Sequence, residues 1–142
     1  MTENSEIVLQ TCRLLVSHFR HCLEHGGGFH SRVFERMLHP ETKFVFVGKS
    51  ASVNKDTPTH PEHVVPCAFM IDECKRLIKE GISDELIASL LAKHWKLALI
   101  TKEEQRRLDH DLKLKSKMPN GWRFEDGDTF ERLKLANIEI VK

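Results

Sequence analysis

Apolar positions Val8, Cys12, Leu15, Phe19 and Cys22 step by four, three, four and three along the chain. This is the helical period, and it predicts a helix from about Glu3 to Glu24 with one buried face. Gly26-Gly27-Gly28 removes helical preference and ends it. A second helix is expected over 29–38, with Val33, Phe34, Met37 and Leu38 inward, closed by His39-Pro40. Lys43-Phe44-Val45-Phe46-Val47 is aromatic and β-branched, so it reads as a strand ended by Gly48. Residues 49–59 are polar and irregular, and Val64-Val65 then suggests a short extended piece before Pro66.

Helical spacing returns with Phe69, Met70, Cys74, Leu77 and Ile78 and stops at Gly81; Ser83 caps a further helix carrying Leu86, Ile87, Leu90 and Leu91. Leu97-Ala98-Leu99-Ile100 is too brief for a helix and reads as a strand. It runs into Thr101-Lys102-Glu103-Glu104, a capping box that starts a helix over 102–112. Asp128-Thr129-Phe130-Glu131 repeats the capping pattern for a last helix ending near Asn137, and Ile138 to Val141 reads as a terminal strand. Between them, the turn Met118-Pro119-Asn120-Gly121-Trp122 is expected to pin Trp122 against the body.

The pattern predicts an α+β fold, mostly helical, in a single domain of 142 residues. A small antiparallel β-hairpin joins Phe44–Val47 or Val64-Val65 to Leu97–Ile100, and helix 102–112 packs across it. The chain divides into an N-terminal helical part (1–42), a core (43–112) and a C-terminal extension (113–142).

Composition changes this picture little. With 40% hydrophobic residues, 30% charged residues and a net charge of +1, no global excess points to nucleic acid or membrane. The polar, acidic start lacks the basic region of an export signal, and no apolar run approaches the length of a membrane span. Cys12, Cys22, Cys67 and Cys74 form no CxxC pair and read as reduced thiols, which implies a cytoplasmic protein. Cys12 and Cys22 lie on the first helix's buried stripe; His18, His21 and His25 lie on its neighbouring face and read as surface histidines.

Candidate chemistry concentrates in Thr59-His60-Pro61-Glu62-His63-Val64-Val65-Pro66. A carboxylate is a hard ligand for Mg²⁺ or Mn²⁺, and a neutral imidazole is a base able to activate water. Together they supply what phosphodiester hydrolysis needs. On an extended backbone, however, Glu62 and His63 point to opposite faces and share one ion only across a bend. A Zn²⁺ site from His60, His63, Cys67 and Cys74 is less suited, because Cys67 and Cys74 stand two helical turns apart.

Glu62-His63-Val64-Val65-Pro66 resembles the Asp/Glu-His-Ile/Val-x-Pro signature of HNH endonucleases, the ββα-metal or His-Me finger group. Residues 97–109 are similar to that family's second strand and helix. The resemblance implies a divalent-metal-dependent endonuclease acting on DNA, with Glu62 as metal ligand and His63 as general base. A helix ligand would complete the metal site, and Gln105 stands at that position, with Asp109 one turn further on. The family's asparagine before the second strand falls at Lys96. Glutamine and lysine are departures from the pattern, and they suit an alternative: a catalytically silent HNH-scaffold binding protein that contacts a protein partner. Lys102, Arg106 and Arg107 on the capped helix are the expected nucleic-acid contacts, with Lys113, Lys115 and Lys117 alternating beyond them. His60 and His94 are further candidate ligands.

Overall fold

A computed structural model describes residues 3–28 and 30–142. Helix α1 (Glu3–His25) buries the expected stripe, and Cys12, Leu15, Val16 and Phe19 are wholly inaccessible. Helices α3 (Cys67–Lys79) and α4 (Asp84–His94) pack on it and on each other. The Ser83 hydroxyl caps α4, accepting from the Leu86 amide at 3.3 Å. Arg13 and Arg20 of α1 reach Glu85 and Asp84 at the start of α4.

The second helix is shorter than its pattern predicts. Helix α2 covers only Val33–Met37, and a 3-10 turn over Glu41–Lys43 follows; Phe29, the expected start, lies outside the described residues. That turn displaces the next strand. The Phe44 and Val45 amides both donate to the Glu41 carbonyl at 2.9 Å, so β1 is Phe46–Ser50 rather than 43–47. Gly48 therefore lies inside β1. Its φ of +140° suits glycine, and a Cβ there would collide with the Val141 carbonyl. The β1 register shifts between Phe46 and Gly48, which marks a bulge.

Strands β2 (Thr59–His63), β3 (Leu97–Thr101) and β4 (Ile140–Val141) complete a mixed sheet of order β2-β3-β1-β4. β3 runs antiparallel to β2 and parallel to β1. An antiparallel pair thus exists, but α3 and α4 connect its strands in place of a hairpin turn. The strand is the motif itself, 59–63, and not Val64-Val65; the Val64 amide still bonds the Lys96 carbonyl at 2.9 Å.

The capping box forms: the Glu104 amide donates to Thr101 Oγ1 at 3.0 Å, and Glu104 Oε1 accepts from the Thr101 amide at 2.9 Å. Helix α5 is only Lys102–Arg106, and the chain continues as a π-helical turn over Arg107–Asp111. At the last helix, α6 (Glu131–Leu135), the expected capping box is not made: Asp128 Oδ1 accepts from the Phe130 amide at 3.1 Å ahead of the helix, and Thr129 bonds His94 at 2.9 Å. Trp122 is pinned as expected, its indole N–H donating to the Asp128 carbonyl at 2.9 Å.

The sheet separates two apolar layers. Val45, Val65 and Leu97 face α1, α3, α4, Phe34 and Trp95. Val64, Ala98 and Ile100 face Leu108, Leu133, Ala136 and Ile138 from the C-terminal third. Gly48→Ala is expected to lose about 1–3 kcal/mol of stability, from the strained φ and the clash with β4. Urea unfolding measures this; an unchanged midpoint would mean that β4 is not held against β1.

Candidate functional site

Alternation along β2 divides the motif between the two layers. His60 and Glu62 pair with Ile100 and Ala98 on the C-terminal side; His63 pairs with Leu97 on the helical side. Adjacent in sequence, Glu62 and His63 bind different partners.

His63 Nε2 lies 2.7 Å from Glu41 Oε2, and the Trp95 indole N–H donates to the same oxygen at 2.8 Å. Glu41 is almost wholly buried on the 3-10 turn, and Trp95 is inaccessible at the end of α4. Burial alone would raise the Glu41 pKa, but bonds from His63 and Trp95 outweigh it and leave the carboxyl below its ordinary value. Burial would likewise lower His63, yet its interactions with Cys67 and Glu41 push it up to about 10. Cys67, the first residue of α3, lies beside this imidazole. Burial outweighs the pull of the imidazolium and leaves its thiol above the ordinary value. Glu62, His63 and Cys67 border a cleft of about 300 Å³ with Arg32, Glu35 and Lys115 at its edge.

Glu62 belongs to a second charged group. Arg132, on α6, is completely buried and lies 3.6 Å from Glu62 Oε2. Its guanidinium donates to the His63 carbonyl at 2.7 Å, the Leu114 carbonyl at 2.8 Å and the Val64 carbonyl at 3.4 Å. Burial raises the Glu62 pKa, with Arg132 opposing and Asp109 reinforcing the rise. Burial lowers that of Arg132, while Glu62 and Asp109 support its charge. Three carbonyls and the Glu62 carboxylate thus surround one fixed cation, with Asp109 as a further electrostatic neighbour.

The π-helical turn carries Asp109 back along β2, where it is an electrostatic neighbour of His60, Glu62 and Arg132. Gln105 is half-buried on α5, which packs on β2 and β3. Lys96 stands opposite the end of β2, but its electrostatic neighbour is Cys12 of α1, on the helical side. His60 is held below its ordinary pKa by burial and Lys102. His94 is a structural residue: it lies wholly inside, Nε2 is 2.8 Å from the Phe124 carbonyl, and burial favours its neutral form. Lys102 and Arg106 are exposed, whereas Arg107 donates to the Ala136 carbonyl and helps hold α6.

Comparison with protein-family models, curated proteins and solved structures returned no match. The arrangement is therefore read from its own geometry.

Glu41, Trp95 and Arg132 escape sequence reasoning. Glu41 lies in a polar turn, and Arg132 is one of many surface-type residues in a charged segment. One signal existed for Cys67: it stands four residues after His63, at a helix start that a proline announces.

The ion pair sets a pH dependence. His63's raised pKa contributes stability that is complete below its ordinary 6.5 and disappears as pH rises through about 10. Glu41's lowered pKa contributes stability above its ordinary 4.5 that disappears as pH falls through the folded value. The stability gap between wild type and His63→Gln is expected to be widest near pH 6 and to narrow steadily towards pH 10. Urea unfolding at pH 6, 8 and 10 measures it, and a constant gap would remove the ionic contribution.

Proposed function

We propose that this chain is an HNH-like ββα scaffold that acts by binding a protein partner and is silent towards phosphodiesters. The observation that carries this reading is Arg132. Its buried guanidinium stands beside Glu62, the carboxylate from which a divalent metal would be held. A Mg²⁺ or Mn²⁺ ion on Glu62 and Asp109 would meet a fixed positive charge in a low-dielectric interior, where like-charge repulsion is strong. The donor set does not fit the metal, and Arg132 already supplies the positive charge that the acidic pair needs. His63 points the same way: paired with Glu41 and charged at neutral pH, it cannot take a proton from water.

Surface chemistry favours protein over DNA as the partner. With a net charge of +1 and Arg107 tied to a carbonyl, the capped helix offers only Lys102 and Arg106 towards phosphates. A groove of about 690 Å³ between β1, β4 and α6 offers apolar surface instead, lined by Val47, Phe130, Ile138 and Ile140. An apolar side chain presented by a folded protein is the occupant this groove suits.

A second reading, the metal-dependent DNA endonuclease, draws on one observation. The antiparallel β2–β3 pair and the returning helix bring Asp109 towards Glu62, as a ββα site requires. Thermal unfolding with millimolar Mg²⁺ or Mn²⁺, run beside nicking of supercoiled plasmid, separates the two. The binding reading expects no rise in Tm and no nicking. An ion that binds only the folded state at a hundred times its Kd adds about 2.7 kcal/mol. A corresponding rise in Tm that Glu62→Gln abolishes, with nicking that His63→Ala abolishes, would replace the binding reading with the nuclease.

A further inference from the structure

The sheet has two edge strands, β2 and β4, and only one of them is closed to a further strand. Two bonds across to β3 fix the phase of β2: the Val64 amide donates to the Lys96 carbonyl, and the Lys102 amide to the Pro58 carbonyl. His60 and Glu62 therefore direct their main-chain groups at β3, while Thr59, Pro61 and His63 direct theirs outwards. Pro61 has no N–H to offer, and the His63 carbonyl already accepts from Arg132 at 2.7 Å. An incoming strand finds no continuous ladder there.

The opposite edge is open. The Ala51 amide donates to the Glu139 carbonyl at 2.8 Å, and Lys49 lies opposite Val141. This phase turns the N–H and C=O of Ile140 away from β1. Neither takes part in a hydrogen bond among the described residues. The groove of about 690 Å³ runs beside this edge, and Ile138 and Ile140 share its lining with Val47 and Phe130. Lys134 and Lys142 also line it, with Glu139 as the one anion among the lining residues. Lys134 is bound to Asp128 at 2.6 Å, whereas Lys142 forms no ion pair among the described residues.

A free main-chain donor and acceptor, an apolar trough alongside and an unmatched lysine together suit one kind of occupant. An extended segment pairing with Ile140 places every second side chain on one face, about 6.8 Å apart. Apolar residues at those positions fill the groove, and a carboxylate answers Lys142. A helix would leave the Ile140 groups unmatched. A second copy of this chain fits less well: paired antiparallel through Ile140 in its two closest registers, it sets Lys142 opposite an isoleucine, Ile138 or Ile140. We propose that the β4 edge and its groove take an extended, acidic and apolar segment of a partner protein as an additional strand. This rests on the protein-binding reading above and names the form in which the partner binds. Main-chain bonds to Ile140 give affinity; alternate apolar side chains and a carboxylate at Lys142 give selectivity.

The probe is a displayed library of random decapeptides selected on the full chain, with enriched peptides resynthesised and their Kd measured by fluorescence anisotropy. Enriched sequences are expected to alternate apolar and polar residues and to carry Asp or Glu. Methylating the peptide amide nitrogens one at a time is expected to weaken binding about 10-fold at alternate positions of the paired stretch. The intervening amides point away from β4, and their methylation leaves Kd unchanged. Lys142→Glu, at an exposed position, is expected to weaken binding about 10-fold. Ile140→Arg abolishes it, with circular dichroism confirming the wild-type fold; should that variant not fold, Lys142→Glu and the methylation scan decide. Peptides that depend on Lys142 yet tolerate methylation at every amide would overturn strand addition and leave the protein-binding reading standing. Enrichment of basic peptides, or Kd values indifferent to Lys142→Glu, would overturn the acidic occupant. A library that yields no peptide dependent on the groove would remove both the inference and the binding reading of the groove.

Discussion

Successive side chains on a strand point to opposite faces, and at Glu62-His63 this one constraint sorts the buried charge of the molecule. Glu62 enters the C-terminal layer and faces Arg132; His63 enters the helical layer and faces Glu41. A one-residue slip of β2 against β3 would send the carboxylate towards Glu41 and the imidazole towards Arg132, pairing like with like. The register Glu62↔Ala98, His63↔Leu97 is therefore enforced electrostatically as well as by Val64 and Val65.

Both buried charges act as junctions between distant segments. Glu41 joins the 3-10 turn to β2 and to the end of α4 through Trp95. Arg132 joins α6 to the end of β2 and to Leu114 beyond the π-helical turn. Breaking such a buried pair by removing one partner costs about 3–5 kcal/mol, a large share of a small domain's total stability. The cost is high because the remaining charge keeps no solvent to fall back on. Ser50 and Glu104 provide a third, smaller junction at 2.7 Å between β1 and α5.

This division also shapes what the motif can do chemically. A divalent metal and a neutral base at adjacent positions need both side chains turned to one solvent-facing site. Here each is turned to an opposite charge, Glu62 to Arg132 and His63 to Glu41, although both border the same cleft.

The sequence by itself determined most of the elements: the α1 stripe, the Ser83 cap, the strand at Leu97 and the Thr101–Glu104 capping box are all local. Periodicity and caps act within a few residues, so they are legible without the fold. Tertiary structure alone decided the displacement of β1 by the Glu41 turn, the bond that ties Thr129 to His94, and the partners of His63 and Glu62. Those partners stand 22 and 70 positions away along the chain. No local pattern marks them, since a buried charge is recognised only by what the folded chain brings against it.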